Sequence, residues 1–491
     1  MRRAAALAAL GLAACGGTER AEAPPSVLWI VWDTVRADRL SLYGYERETT
    51  PFLDAWARDA LVFDECRSVG SSTVPAHASM FTGLLPSEHG ANNKTRHLDE
   101  RFTTIAELFR DAGYATYLYS ANPNIQFREN FEQGFAVEQH PWDPERRPRA
   151  LELLRAKADG DRATELRHKL SKDDVDDVHL KACGELASDA LLDFLADRDP
   201  GRPYFAFLNY MEAHEPLVPP RAYRERFLSP DEVDESYEHD RTWRAGWQYT
   251  YGLRELDERY FRIMGGVYDA TLAELDELLS GLLARLEAAG ALDNTIVVLT
   301  SDHGEHLGEH RLVGHRYSLY EGVLRVPLVL HAPGRVEPGR SDAPVTNMDL
   351  FPTLLALAGI EAPAEQGASA VDLRDVPSDR VRIAEYPGDF PIYAQFKDQL
   401  PPDFEPERWL RRLRAVQVGA DKLIWSSDGE HELYALDEDA DESRDLAPRD
   451  AGALERMLQR LDEARRSLVP YAPGGDGPSE EFIRQLEGIG Y

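Results

Sequence analysis

Residues 27–32 read VLWIVW, a short apolar run with β-branched members that stops at Asp33-Thr34. That pattern predicts a buried parallel strand, covered on both faces, that delivers polar residues at its C-terminal end. It returns at residues 204–208 (YFAFL), leading to Asn209 and His214, and at residues 295–300 (TIVVLT), leading to Ser301-Asp302-His303-Gly304. A fourth strand is expected at 326–331. Between the strands lie amphipathic stretches, residues 105–112 and the longer 270–289, the latter with Leu at helical spacing and a stop at Gly290. Strands alternating with helices predict an α/β fold, a mostly parallel central sheet sandwiched by helices. In such sheets ligands gather at the carboxyl ends of the strands, so Asp33, His214, Asp302 and His303 are expected on one rim.

Around this core the texture changes. Residues 143–178 are dense in Arg, Lys, Asp and Glu, and residues 221–262 are acidic and aromatic; both read as helical insertions whose charges are solvated faces. After about residue 376 come short elements: 416–418, 422–425, a turn at Ser427-Asp428-Gly429, then 432–436 and a helix over 453–467. The expected division is a core over 26–375 and a small C-terminal α+β subdomain over 376–491. No internal repeat is present.

The N-terminus is a separate matter. Arg2 and Arg3 precede an apolar run over 4–14 that ends Leu12-Ala13-Ala14-Cys15. This is a targeting segment over 1–15, too short to span a bilayer, and it resembles the lipobox of bacterial lipoproteins. The resemblance implies an exported lipoprotein with a lipid anchor at Cys15, held on the periplasmic or outer surface of a membrane; a secretory signal cut nearby is the other reading. Residues 16–25 (GGTERAEAPP) suit a flexible tether. No later stretch is apolar for long enough to form a transmembrane helix. Cys66 and Cys183 allow at most one disulfide and no cysteine zinc cluster. A formal net charge of −32 repels nucleic acid over the whole surface. An anionic substrate would bind only where a metal ion or clustered basic groups reverse the field.

Two stretches carry chemistry. In Asp302-His303-Gly304-Glu305 a carboxylate and an imidazole stand side by side at a strand end, and Asp33 at another strand end supplies a second carboxylate, a set suited to a divalent cation. In SSTVPAHASMFTG, residues 71–83, a hydroxyl residue precedes a proline and small residues. That arrangement suits a nucleophile at a helix N-terminus, where N–H groups favour an anion, although on local sequence alone a Ser/Thr helix cap explains it better. His306 and His310, beside Glu309 and Arg311, read as a solvated loop.

Taken together these stretches resemble the sulfatases, which share the alkaline-phosphatase fold with phosphodiesterases, phosphonate hydrolases and lipid-headgroup phosphotransferases. VLWIVWDTVRADRLSLYGY (27–45) is similar to the family's opening strand, and SSTVPAHASMFTG with Pro86 and His89-Gly90 is similar to its Cys/Ser-x-Pro-x-Arg signature. TSDHGEHLGEH (300–310) with GHRYSLYEGVLRVPLVLHAPG (314–334), TNMDLFPTLLALAGI (346–360) and ELYALDEDADESRDL (432–446) resemble its later segments in order. The resemblance implies one divalent cation, calcium, manganese, zinc or magnesium being left open, held by Asp33, Asp302, His303 and the oxygen of Thr73. It also places His315 near the family's substrate-binding lysine. His214 falls at a histidine that contacts the anion or protonates the leaving group, and Glu305 either orients His303 or faces solvent.

The departures bear on the reaction. Thr73 stands where sulfatases carry the Cys or Ser that is oxidised to formylglycine, and a threonine cannot give that aldehyde. His77 replaces the signature Arg, and Thr34 replaces the second Asp of an Asp-Asp pair. Ser120-Ala121-Asn122-Pro123 occupies the place of Gly-Lys-Trp-His, so two clamping side chains are missing. The expected activity is hydrolysis of an anionic sulfate or phosphate ester by Thr73. A headgroup transferase or phosphodiesterase of the same superfamily is the first alternative, and a tethered binding protein without turnover the second.

Overall fold

A computed structural model describes residues 23–93, 96–126, 130–157, 180–238, 243–363, 366, 369–388 and 392–472. The targeting segment, most of the tether and residues 158–179 of the first insertion lie outside the described residues. Eight strands form the central sheet: β1 Ser26–Trp32, β2 Leu61–Phe63, β3 Ala115–Ser120, β4 Val137–Gln139, β5 Tyr204–Tyr210, β6 Thr295–Thr300, β7 Leu328–His331 and β8 Gly339–Ser341. Their spatial order is β8-β2-β7-β6-β1-β5-β3-β4. β1 sits centrally, parallel to β5 on one side and to β6 on the other. β7, in the fourth region expected to be a strand, starts after Pro327 and runs antiparallel to both β6 and β2.

The apolar run over 27–32 explains why this sheet is buried twice. Val27, Trp29 and Val31 pack into the core on one face, Leu28, Ile30 and Trp32 into the core on the other, all almost without exposure. Burial of each such side chain contributes roughly 1.5–3 kcal/mol, so a charge anywhere in 27–32 would be costly.

Three elements differ from the expectation in instructive ways. β3 has the sequence ATYLYS, whose Thr, Tyr and Ser hide it from a search for apolar runs; Tyr117 donates to Gln139 at 2.9 Å and Ser120 to the Asn122 carbonyl at 3.2 Å. The long helix runs over Glu258–Ala288, starting at residue 258 rather than at 270 as the Leu spacing suggests, because Asp257 caps it by accepting from the Tyr260 amide at 2.8 Å. The second insertion is thus three short helices, Arg221–Arg224, Pro230–Ser236 and Trp243–Thr250, followed by the first turns of that helix.

The C-terminal unit is a four-stranded antiparallel sheet, β9 Arg382–Tyr386, β10 Leu413–Val418, β11 Asp421–Ser426 and β12 Glu432–Ala435, backed by the helix Ala451–Arg465. It is tied to the core where the Glu385 amide donates to the Val69 carbonyl at 2.9 Å and the Ser87 amide donates to the Glu385 carboxylate at 2.7 Å. Cys66 and Cys183 are buried free thiols. Among the described residues no helix is long and apolar enough to cross a membrane.

Candidate metal and nucleophile site

The carboxyl ends of β1 and β6 deliver Asp33, Asp302 and His303 to one point. Their ligand-type atoms all lie within 4.8 Å of one another, and none of the three is exposed. Each keeps one atom bare. Asp33 Oδ2 accepts from the side-chain amides of Asn122 at 2.7 Å and Asn209 at 3.2 Å, leaving Oδ1 without a partner. Asp302 Oδ1 accepts from the backbone amides of Thr34 at 3.1 Å and His303 at 2.8 Å, leaving Oδ2. His303 Nδ1 lies 3.0 Å from the Gly304 carbonyl, which only accepts, so the ring proton is on Nδ1 and the Nε2 lone pair is free.

Buried polar atoms without partners are rare, and three converging on one point fit a divalent cation bound by oxygen and imidazole nitrogen. The electrostatics agree. Burial, then the Asp302 charge, pushes Asp33 up to about 7, and burial pushes Asp302 up to about 7 against the pull of its amide donors. Burial lowers the His303 pKa, which keeps the ring neutral. The basic groups nearest the pair are the imidazoles of His303, 3.3 Å from Asp302 Oδ2, and His77, 3.6 Å from it, both held neutral by burial, so two buried carboxylates ask for an external positive charge.

Thr73 is the first residue of the helix Thr73–Thr82, and Ser72 before it makes no side-chain cap, so the N-terminal amides keep their attraction for an anion. The Asn122 amide that holds Asp33 also lies 3.4 Å from Thr73 Oγ1, which sets the hydroxyl at the edge of the carboxylate cluster. One turn on, His77 Nδ1 donates to the Thr73 carbonyl at 3.0 Å, with its ring against Phe81 and Phe207. Burial lowers His77 to about 3, so it stands one turn from Thr73 as a neutral group and supplies none of the charge of the arginine it replaces.

Thr34, in the place of a family aspartate, serves through its backbone. Its φ is 60°, strained for a β-branched residue; its amide donates to Asp302 and its carbonyl accepts from Tyr268 at 2.7 Å. Gly304 is needed for close approach rather than for a turn of unusual φ, since a Cβ there would lie 2.2 Å from the Gly322 carbonyl oxygen.

His315 and His214 line the rim in sequence from His303, with ring centroids 4.4 Å apart for His303–His315 and 5.3 Å for His315–His214. Burial, then the neighbouring His303, keeps His315 neutral; burial, then Lys181, does the same for His214. Glu305 neither orients His303 nor faces solvent. It is buried 3.5 Å from His315 Nδ1, and the Gly304 carbonyl performs the orientation of His303 instead. His306 is also buried, 2.6 Å from Ser318, and is no part of a solvated loop.

Three further side chains around the candidate site are given no role by the sequence. Asn122 lies within the very tetrapeptide noted for its missing clamps, Asn209 ends β5, and Lys181 follows the charged insertion. A strand-end position was the available signal for both asparagines; nothing local marks Lys181.

A family model described as "Sulfatase" matches residues 25–360, and one described as "N-sulphoglucosamine sulphohydrolase, C-terminal" matches residues 308–467. The N-acetylglucosamine-6-O-sulfatase of Bacteroides thetaiotaomicron is 25% identical over 95% of this chain and 91% of its own length. The multifunctional alkaline phosphatase superfamily protein PehA of Trinickia caryophylli is 27% identical over 69% of this chain and 74% of its own. Among solved structures, a phosphonate monoester hydrolase from Silicibacter pomeroyi superposes with a TM-score of 0.68 at 23% identity, covering 93% of this chain and 98% of that one.

Proposed function

The chain belongs to the sulfatase family, and on that premise we propose that it hydrolyses an anionic sulfate or phosphate ester with Thr73 as nucleophile and one divalent cation at Asp33, Asp302 and His303. The observation that carries this reading is the Asn122 amide, 2.7 Å from Asp33 and 3.4 Å from Thr73, which couples the hydroxyl to the unpartnered acidic cluster. When bound there, the cation would lower the pKa of the threonine hydroxyl and neutralise charge on the ester oxygens. The chain's own residues do the rest. The helix N-terminus at Thr73 offers amides to the anion, and Asn122 and Asn209 fix Asp33. Thr73 Oγ forms a bond to the central sulfur or phosphorus as the bond to the leaving oxygen breaks, the hydroxyl proton passing to solvent. Water then releases the threonyl ester.

Thr73 itself favours a second reading within the same site. With no aldehyde available to expel sulfate, a phosphorus ester is the better match to a plain hydroxyl. The export signal at residues 1–15 and the anchor at Cys15 belong to the same proposal: a periplasmic or surface lipoprotein acting on a small molecule, glycan or lipid.

The test is turnover of aryl sulfate, aryl phosphate and bis-aryl phosphate with several divalent metals, in wild type and Thr73→Ala, with mass spectrometry for an esterified Thr73. Thr73→Ala should abolish turnover while the fold is kept. Turnover unchanged by that substitution removes Thr73 from the reaction, and no turnover of any ester by wild type favours a tethered binding protein.

A further inference from the structure

Lys181 lies just before the helix Glu185–Asp197 and is 1% exposed. Three acceptors surround its ammonium: the His214 carbonyl at 2.5 Å, the Glu215 carbonyl, and His214 Nδ1 at 3.0 Å. An ammonium has three N–H donors and no lone pair, so the third bond exists only if Nδ1 carries no proton. The Glu215 carbonyl also lies 2.8 Å from Nδ1 and would accept from an Nδ1–H. Two tautomers of the neutral ring are therefore open to the backbone, and the lysine decides between them.

We propose that Lys181 is a positioning residue for ester cleavage, which by donating to Nδ1 fixes His214 as the Nε2–H tautomer and makes it a hydrogen-bond donor to the anionic ester. The role rests on the hydrolase reading above, but the tautomer does not. Lys181 touches no substrate: all three of its protons are taken by protein acceptors. Its charge nevertheless stands one residue behind the anion, in a chain that lacks the clamping lysine and arginine of the family pattern. Burial pulls Lys181 down to about 7, opposed by the carboxylates of Asp33, Glu215 and Glu305, so below neutrality the ammonium form holds.

Two measurements test this on the full-length, metal-loaded protein. The first is 15N NMR of labelled histidine at about pH 6, with the His214 signals assigned by their loss in His214→Gln. A bare Nδ1 and a protonated Nε2 are expected; a protonated Nδ1 overturns the proposal whether or not any ester is turned over. The second is a double-mutant cycle on the preferred ester. Lys181→Met should lower kcat about 10- to 100-fold with KM little changed, most for poor leaving groups, and should cost nothing further in a His214→Gln background. An undiminished second loss in that background means that Lys181 acts on the anion directly, and overturns the proposal. Should Lys181→Met fail to fold, the NMR result on wild type decides alone. Absence of turnover together with a bare Nδ1 would refute the hydrolase reading and leave the tautomer assignment standing.

Discussion

Two buried clusters of charge lie in this molecule, and they are built on opposite principles. Where the C-terminal sheet meets the core, Glu321 pairs with Arg67 at 2.7 Å and Lys422 at 2.9 Å, and Lys422 pairs with Glu442 at 2.7 Å. Burial pushes the Glu321 pKa up, but Arg67 and Lys422 outweigh it and hold the carboxyl below its usual range. At the strand ends, Asp33 and Asp302 have only the neutral imidazoles of His303 and His77 beside them, and both are pushed up to about 7. The first cluster is closed by the protein's own cations and ties two units together. The second is open, and a fold keeps such a set only at a cost in stability that binding offsets.

The largest effect expected from this contrast is at Asp33. Asp33→Asn should lower activity about 10⁴-fold, on the order of 5 kcal/mol in the barrier, while raising the melting temperature of the metal-free protein, because it removes a buried carboxylate that repels Asp302. Calorimetry with and without metal checks both halves; a metal-free Tm that falls would mean that the acidic pair is not a strained set. Glu321→Gln should do the reverse. It leaves Arg67 and Lys422 undercompensated and should cost about 3–5 kcal/mol of stability, with kcat/KM per folded molecule unchanged. Denaturant titration beside an assay separates the two, and a loss of activity beyond the loss of folded protein would merge the clusters. Smaller again is Asn122→Ala, which frees Asp33 Oδ2 and the Thr73 hydroxyl from a shared donor. Activity should fall about 10- to 100-fold, with metal affinity falling by a similar factor, read by isothermal titration.

How far the sequence discloses these clusters follows from how each is built. The strand ends are legible because a parallel strand must be apolar throughout, so the change from VLWIVW to Asp33 or from TIVVLT to Asp302 marks the site in one dimension. β3 is not legible this way, since the hydroxyls of Tyr117 and Thr116 find partners only in the folded sheet, and Asn122 is hidden with it. Lys181 and Glu321 are hidden for another reason: each takes its meaning from a partner distant in sequence, His214 or Lys422, and a single charged residue has no period to betray it. The start of the long helix is hidden because Asp257 sits among residues whose acidic and aromatic content reads as an insertion.

A pH dependence of metal binding also bears on the comparison. A cation binds the ionised carboxylates, and in the metal-free site Asp33 and Asp302 hold protons up to about 7. Binding must release those protons, so affinity should be full above neutrality and fall as pH drops below about 7, by roughly tenfold per unit for each proton displaced. The sign for stability is opposite. A carboxyl whose folded pKa is raised binds protons that the unfolded chain has released, so between about 4 and 7 this pair makes the metal-free fold less stable as pH rises. Metal-loaded protein should lose that component, because both groups are then ionised in the folded state at the lower pH as well. The difference in Tm between loaded and metal-free protein should therefore widen as pH rises from 5 to 8, and Asp33→Asn should flatten it. A gap that stays constant with rising pH would show that the carboxylates are ionised before the cation arrives, and the contrast with the closed Glu321 cluster would then lie in geometry alone.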